Sequence, residues 1–290
     1  MLHTDTVIPF AFESLPVRGA LVQLEKSWQR MLANHEYERP LQEILGHSAA
    51  ASALIAHGLK YKSMITMQLS GDGPLSMLVM QCSSDLELRG MVRGEVPHAG
   101  AGFRELVARA NCAITVDGGD VERPYQGIVE VIGDNLAASL ENYYQRSAQI
   151  PSHLALVSDP TLAGGILLQQ MPDRGDAPED DWRRLGLLAA TLSVRDLAGG
   201  AGLDLLGRLF AEDDLRVYTR RDVVFKCRCS QERAENVLRL LGQADTEAAC
   251  REYGSVDVTC EYCGETRTFD AVDLSRVFAG GPQAESDTVH

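Results

Sequence analysis

The sequence is short of positive charge: 27 Lys plus Arg stand against 41 Asp plus Glu, leaving a net charge of -14 and a pI near 4.9. A chain so acidic repels a phosphate backbone unless a local basic stripe overrides the balance, which disfavours general nucleic-acid binding. Long apolar runs are missing too. No stretch approaches the roughly 18 uncharged apolar residues that a membrane span needs. The opening Met1-Leu2-His3-Thr4-Asp5-Thr6 has neither the basic region nor the apolar run of a secretory leader, so a soluble, cytoplasmic protein is expected. Internal repeats and low-complexity tracts are absent. No Walker-type glycine loop occurs, and Gly71-Asp72-Gly73 and Gly118-Gly119-Asp120 read as turns because neither opens a strand-to-helix unit with a following Lys.

What is present is a folding composition. At 290 residues, 45% hydrophobic and 23% charged, the chain can bury one large core or two modest ones. Segments such as Ser63 to Leu69, Leu75 to Cys82, Leu86 to Val92, Cys112 to Val116 and Gly127 to Ile132 read as strands. The short turns between them favour antiparallel pairing. Helical spacing runs from Leu41 through Ala56 and from Asn135 to Arg146, where Leu136, Leu140 and Tyr143 share a face. The fold class is therefore α+β, an antiparallel-sheet body with helices over residues 1–175.

Two prolines, a glycine and several charges between Met171 and Pro178 end that body. Residues 176–222 form a linker. Trp182, Leu185, Leu188 and Leu192 make one helical stripe, Gly199-Gly200-Ala201-Gly202 interrupts, and Leu203, Leu206 and Phe210 make another. The glycine break and ten acidic and seven basic residues predict a segment that packs on the body only weakly. A compact domain follows over residues 223–280. Ser230 caps a helix with Ala234, Val237, Leu238 and Leu241 on one face; Gly242 stops it, and Asp245 caps a second that ends at Gly254. Val256 and Val258 lead a strand into Cys260, Thr266 to Phe269 returns, and Asp270 caps a last helix. A disordered tail is expected over residues 281–290.

Five of the seven cysteines fall after residue 226. Four stand as Cys227-Arg228-Cys229 and Cys260-Glu261-Tyr262-Cys263, and two short-range thiol pairs joined by a loop that folds back suit a closed tetrahedral zinc site. A purely structural zinc is one reading. A redox role is the other: each pair can close a local disulfide once metal leaves, although one intervening residue strains the first ring, and Lys226, Arg228, Arg233 and Arg267 nearby would favour thiolate. Cys82 and Cys112, in apolar strands, read as core thiols, and Cys250 as a packed helical one. The seven scattered histidines, His98 and His153 among them, read as ordinary surface or core residues.

Phe225-Lys226-Cys227-Arg228-Cys229-Ser230-Gln231-Glu232-Arg233, Leu240-Leu241-Gly242 and Val258-Thr259-Cys260-Glu261-Tyr262-Cys263 resemble the zinc-binding end of the bacterial 33-kilodalton heat-shock chaperone family. Tyr125-Gln126-Gly127-Ile128-Val129, the run into Gln149-Ile150-Pro151, and Gly164-Gly165-Ile166-Leu167-Leu168-Gln169-Gln170-Met171-Pro172 are similar to segments of its body, in the same order. The resemblance spans essentially the whole chain. It departs at Ala148, where the family usually has Glu, and at Cys250, outside the four-cysteine motif. It implies a redox-regulated, ATP-independent holdase with no catalytic residues. In the inactive reduced form Cys227, Cys229, Cys260 and Cys263 hold zinc. Oxidation to Cys227–Cys229 and Cys260–Cys263 disulfides releases it, unfolds the zinc-binding domain and the metastable linker, and exposes a surface for unfolded client proteins. The active form is expected to be a homodimer without nucleic-acid or membrane partners. Two other readings stay open: a zinc-containing thiol oxidoreductase using Cys260 and Cys263, and a zinc module touching nucleic acid. Against the latter, Cys227 to Asp270 carries nine acidic and five basic residues.

Overall fold

The computed structural model describes residues 4–59, 62–118, 124–200 and 202–279. They form two compact units, Met1–Lys226 and Cys227–His290. The first opens with an antiparallel hairpin, β1 (Thr6–Phe12) and β2 (Val17–Leu24). In β1, Ile8, Phe10 and Phe12 alternate with Val7 and Ala11 and all are buried, so both faces of the strand are apolar. Helices α1 (Lys26–Leu32) and α2 (Arg39–His57) follow; α2 takes Pro40 in its first turn, where no amide is needed, and buries the small run Ser48-Ala49-Ala50-Ala51-Ser52-Ala53. Small side chains let neighbouring elements approach closely. Strands β3 (Ser63–Gly71), β4 (Leu75–Ser83) and β5 (Glu87–Gly94), helix α3 (Phe103–Leu106), β6 (Ala110–Gly118) and β7 (Tyr125–Val129) build one side. Helix α4 (Leu136–Tyr143), a wide turn over Tyr144–Ala148, β8 (Ser152–Ser158) and β9 (Ala163–Gln170) complete the body.

The linker then contributes α5 (Glu179–Ala190), α6 (Val194–Ala198), α7 (Gly202–Leu209), β10 (Leu215–Val217) and β11 (Arg221–Asp222), and β12 (Val224–Phe225) follows. Two six-stranded sheets result: one in the order β10-β1-β2-β9-β8 with β11 also on β1, the other β12-β5-β4-β3-β6-β7. The expected antiparallel α+β body is present; among the described strands only β12 with β5 pairs parallel. Helix α2 lies between the sheets, against β2, β8 and β9 of one and β3, β4 and β5 of the other.

The linker covers the opposite face of the first sheet. Leu185, Ala189, Leu192, Leu197, Leu205, Leu206 and Phe210 share a core with Ile8, Phe10, Phe12, Leu21, Ile166 and Leu168. β9 is consequently buried along its whole length. The Phe210 ring meets Phe12 edge-on at 5.2 Å and Phe10 at 5.9 Å. Arg184 grips Asp213 through two hydrogen bonds of 2.8 and 2.7 Å, and the Gln23 amide donates to the Leu197 carbonyl at 2.8 Å. The α7 stripe is offset from the expected one: Leu203 is 52% exposed, and Leu205 is buried in its place. Gly202 rests on Ile8 and Leu21, which fixes the rotation of the helix.

The end of the linker is fastened separately. Asp5, at φ 69, accepts the amides of Glu25, Lys26 and Ser27 at 3.2, 3.1 and 2.7 Å, capping α1, whose own N-cap residue supplies no side-chain bond. Its backbone carbonyl takes the Val223 amide, and the Ser27 hydroxyl donates to Val223 O and accepts Phe225 N–H, both at 3.2 Å. Lys226 pairs with Glu87.

The second unit holds α8 (Gln231–Leu241), α9 (Gln243–Tyr253), the hairpin β13 (Val256–Thr259) and β14 (Thr266–Phe269), and α10 (Ala271–Ala279). Ser230 and Asp270 cap their helices as expected, and Gly242 and Gly254 end theirs at positive φ. Asp245 lies inside the first turn of α9 rather than capping it, because that helix starts directly from Gly242. The core is Ala234, Leu238, Cys250, Phe269, Leu274 and Val277. Val237 and Leu241, expected on the inward face, are 44% and 59% exposed: the buried stripe of α8 narrows to Ala234 and Leu238. The expected disordered tail lies outside the described residues. No described helix is long and apolar enough to cross a membrane.

Replacing Asp5 by Ala should leave helix-start amides unsatisfied and cost about 1–3 kcal/mol. Asp5→Gly, free of the side-chain penalty at this left-handed φ, should retain about 1 kcal/mol more. Urea unfolding followed by the emission of buried Trp28 measures both, and an unchanged midpoint for Asp5→Ala would refute the cap.

Candidate metal centre

Cys227 and Cys229 occupy the extended segment before α8, Cys260 follows β13, and Cys263 lies in the turn to β14. The turn is set by two backbone bonds, Cys260 N–H to Glu265 O at 2.9 Å and Gly264 N–H to Cys260 O at 2.7 Å. Gly264 sits at φ 65, where a side chain is disfavoured. All four sulfurs lie within 4.8 Å of one another. Cys227 Sγ is 3.6 Å from Cys260 Sγ, and Cys229 Sγ is 3.5 Å from Cys263 Sγ. All seven cysteines are free thiols. Sulfurs about 2.3 Å from a tetrahedral ion sit about 3.8 Å apart, so this group can hold a metal ion.

The electrostatics favour a cation. Burial acts to raise the Cys227 thiol, but the Cys229 amide, 3.4 Å from its sulfur, and the neighbouring thiols outweigh that and hold it below the ordinary value. Burial and the Cys227 sulfur push Cys229 up to about 11, and burial drives Cys263 higher still. Crowded thiols resist ionising together, and a soft dication at their centre removes the conflict. Two of the four basic residues expected to help are engaged elsewhere: Arg267 bonds Glu265 at 2.8 Å and Gln231 at 3.3 Å, and Lys226 holds Glu87. Glu265, whose carboxylate is 3.6 Å from Cys229 Sγ, had no sequence signal beyond its place after Gly264.

Cys82 and Cys112 are buried in β4 and β6, and burial pushes both thiols up to about 12. Cys250 is packed in the second core with its sulfur 3.6 Å from Gly254 O. None of the three joins the cluster. His98 is an exposed partner of Glu105 at 3.2 Å. A buried set that sequence reasoning passed over is Ile8, Phe10, Phe12 and Leu21 beneath the linker; the alternation through β1 was its signal.

The family model described as Hsp33 protein matches residues 5–270. The chain belongs to the Hsp33 family. It is 38% identical over 280 residues to the 33 kDa chaperonin of Methylobacillus flagellatus, covering 96% of each chain. The 33 kDa chaperonin of Pseudomonas aeruginosa is 39% identical over the full length of both. The crystal structure of the Thermotoga maritima 33 kDa chaperonin shares the fold, with a TM-score of 0.77 at 23% identity over 95% of this chain and 98% of that one. The Hsp33 resemblance read from the cysteine motif and body segments is thereby established across the chain.

Thiol labelling separates the two classes of cysteine in this Hsp33 chain. With a chelator present at about pH 8, the cluster should alkylate readily. Cys82 and Cys112, whose burial keeps the thiols protonated and out of reach, should react only as fast as the body unfolds. Peptide mapping that finds either one modified as quickly as Cys227 would overturn this division.

Proposed function

We propose that this Hsp33 chain is a redox-regulated, ATP-independent holdase whose client-binding surface is the sheet face beneath the linker. The observation that carries the proposal is that Ile8, Phe10, Phe12, Leu21, Ile166 and Leu168 form a continuous apolar face covered by residues 177–210 of the same chain. Uncovered, such a face binds exposed apolar segments of unfolding proteins. Cys227, Cys229, Cys260 and Cys263 would hold zinc in the reduced, inactive form; sulfur spacing and the soft donor set support that choice. Bound zinc would contribute roughly 10 to 16 kcal/mol of apparent folding free energy. The second unit needs such a contribution, because six buried apolar side chains among the described residues are a small core for its length.

Oxidation would join Cys227 to Cys229 and Cys260 to Cys263, each pair giving two electrons to the oxidant, and all four thiolate donors would be lost. The second unit then melts. Cys227 directly follows the Val223–Lys226 segment that comes after the linker, so melting would free one end of the cover and tip it off the sheet. The active form pairs as a homodimer in the cytoplasm and needs neither nucleic acid nor membrane. A thioredoxin-like role gains no support, since Cys260 and Cys263 sit in a β-hairpin turn and not at a helix N-terminus.

Serine at any of the four cluster positions should lower zinc content measured by metal analysis, whereas serine at Cys82, Cys112 or Cys250 should not. During oxidation of the parent protein, zinc release and suppression of client aggregation should rise together; release without suppression would refute the coupling.

Leu206→Glu tests the cover by itself. Burying this leucine stabilises by roughly 1.5 to 3 kcal/mol, and a carboxylate there would be an unpaired buried charge. The variant should keep its zinc and suppress client aggregation under reducing conditions. If it stays inactive while proteolysis finds the linker exposed, linker release does not create the client surface.

A further inference from the structure

Beyond the cysteine cluster, the linker is held to the body at a titratable contact. β8 is an edge strand of the first sheet, and His153 projects from it toward α5. Its imidazole stacks on the Trp182 ring with centroids 4.2 Å apart and planes 26° from parallel. A Cβ added at Gly186 would fall 2.5 Å from Nε2, so one turn further along α5 the helix backbone itself closes over the ring. Nε2 is buried and finds no hydrogen-bond partner among the described residues. Nδ1 is 3.9 Å from Glu141 Oε1, and that oxygen already accepts the Leu154 amide at 2.7 Å.

We propose that His153 is a pH-sensitive latch on the linker: protonation of its imidazole loosens α5 from β8, so that mild acid releases the cover without oxidation. A second proton would place a charge beneath the α5 backbone, where the Trp182 backbone offers the ring some compensation but burial costs more. Other charged groups near the ring offer it little more. On α4, Glu141 is the carboxylate facing the ring. On α5, Arg184 is committed to Asp213 and Asp181, and Arg183 is exposed. On β9 the register partner is apolar Leu168. Helix α2 meets β8 at its far end, where Ser158 lies against Gly46 and bonds the Glu43 carbonyl, and His47 is one residue from Gly46.

The geometry also gives the direction. Burial holds His153 below its ordinary value of 6.5, outweighing a hydrogen bond to the Trp182 backbone that acts the other way. Released into water, the ring returns to that value. The released linker therefore binds the proton more tightly than the docked one. Docking is at full strength above about pH 6.5 and weakens as pH falls from there toward the docked value. Burial raises Glu141, so its charge too fades on acidification, and a neutral Glu141 no longer favours imidazolium at this contact.

The test uses the full-length reduced protein and acrylamide quenching of tryptophan emission, with buried Trp28 as the protected baseline for Trp182. From about pH 7.5 to about pH 5.5 the quenchable fraction should rise, the release equilibrium changing by at most about tenfold per pH unit, the ceiling for one proton. His153→Gln, and His153→Phe, which keeps a stacking ring, should be flat over the same interval. Glu141→Gln should show greater release at each acid pH. If the parent is also flat, or if both His153 variants follow the parent's curve, the latch is overturned. The consequence for clients rests on the holdase reading. If quenching reports release in acid but client aggregation is not suppressed, the latch stands and that reading fails.

Discussion

The first sheet is apolar on both faces, and the rest of the architecture follows from having to cover each of them. One face is permanently occupied by α2, whose alanines and serines let the two sheets of the body close around it. The other would lie open to water if the body ended at β9. The linker covers it with side chains drawn from three short helices. No single one of these helices has enough length or apolar surface to hold by itself, so their docking depends on one another and on the two ends of the segment. A cover assembled in this way is easier to lift than a long helix packed along its whole length.

The ends of the cover are fastened by different physics. At the start the chain leaves β9, which is buried throughout; at the finish Val223 and Phe225 are tied to Asp5 and Ser27 by hydrogen bonds, and β12 extends the second sheet by two residues. Next in the chain comes a unit with six buried apolar side chains among its described residues and four sulfurs gathered within 4.8 Å. The main body owes its stability to buried area, whereas this unit is proposed to owe much of its own to coordination. That division would make the chemically vulnerable element follow the mechanically weak one in the chain. Between them lies only the clamp around Ser27.

The proposed histidine latch would add a different kind of sensitivity to the same cover. In the proposed scheme thiol chemistry would report an oxidant, while a half-buried imidazole beneath a helix backbone would report proton activity. Both would act by withdrawing stabilisation from a packed segment and leaving the body intact. A surface kept apolar for use can be guarded safely only by elements that are individually weak and jointly sufficient.

Composition and spacing determined a good deal without coordinates. Alternating strands with short turns fixed an antiparallel α+β body, and two close cysteine pairs before and after a helical stretch marked four residues that the fold gathers, because pairs already adjacent in sequence need only one loop to close. Caps at Ser230 and Asp270 were legible since they depend on neighbours three residues away. The opening hairpin and the last strands of the linker were not: β1 is buried on both faces only because α2 and the linker meet it from opposite sides, and β10 to β12 are two or three residues long and exist by pairing with distant edges. Rotation of α7, which exposes Leu203 and buries Leu205, was decided by the contact of Gly202 with Ile8, residues far apart in the chain. His153 looked ordinary for the same reason. Its environment comes from Glu141, Trp182 and Gly186, which only tertiary packing brings around one ring, whereas the cysteine pairs carried their geometry in their own spacing.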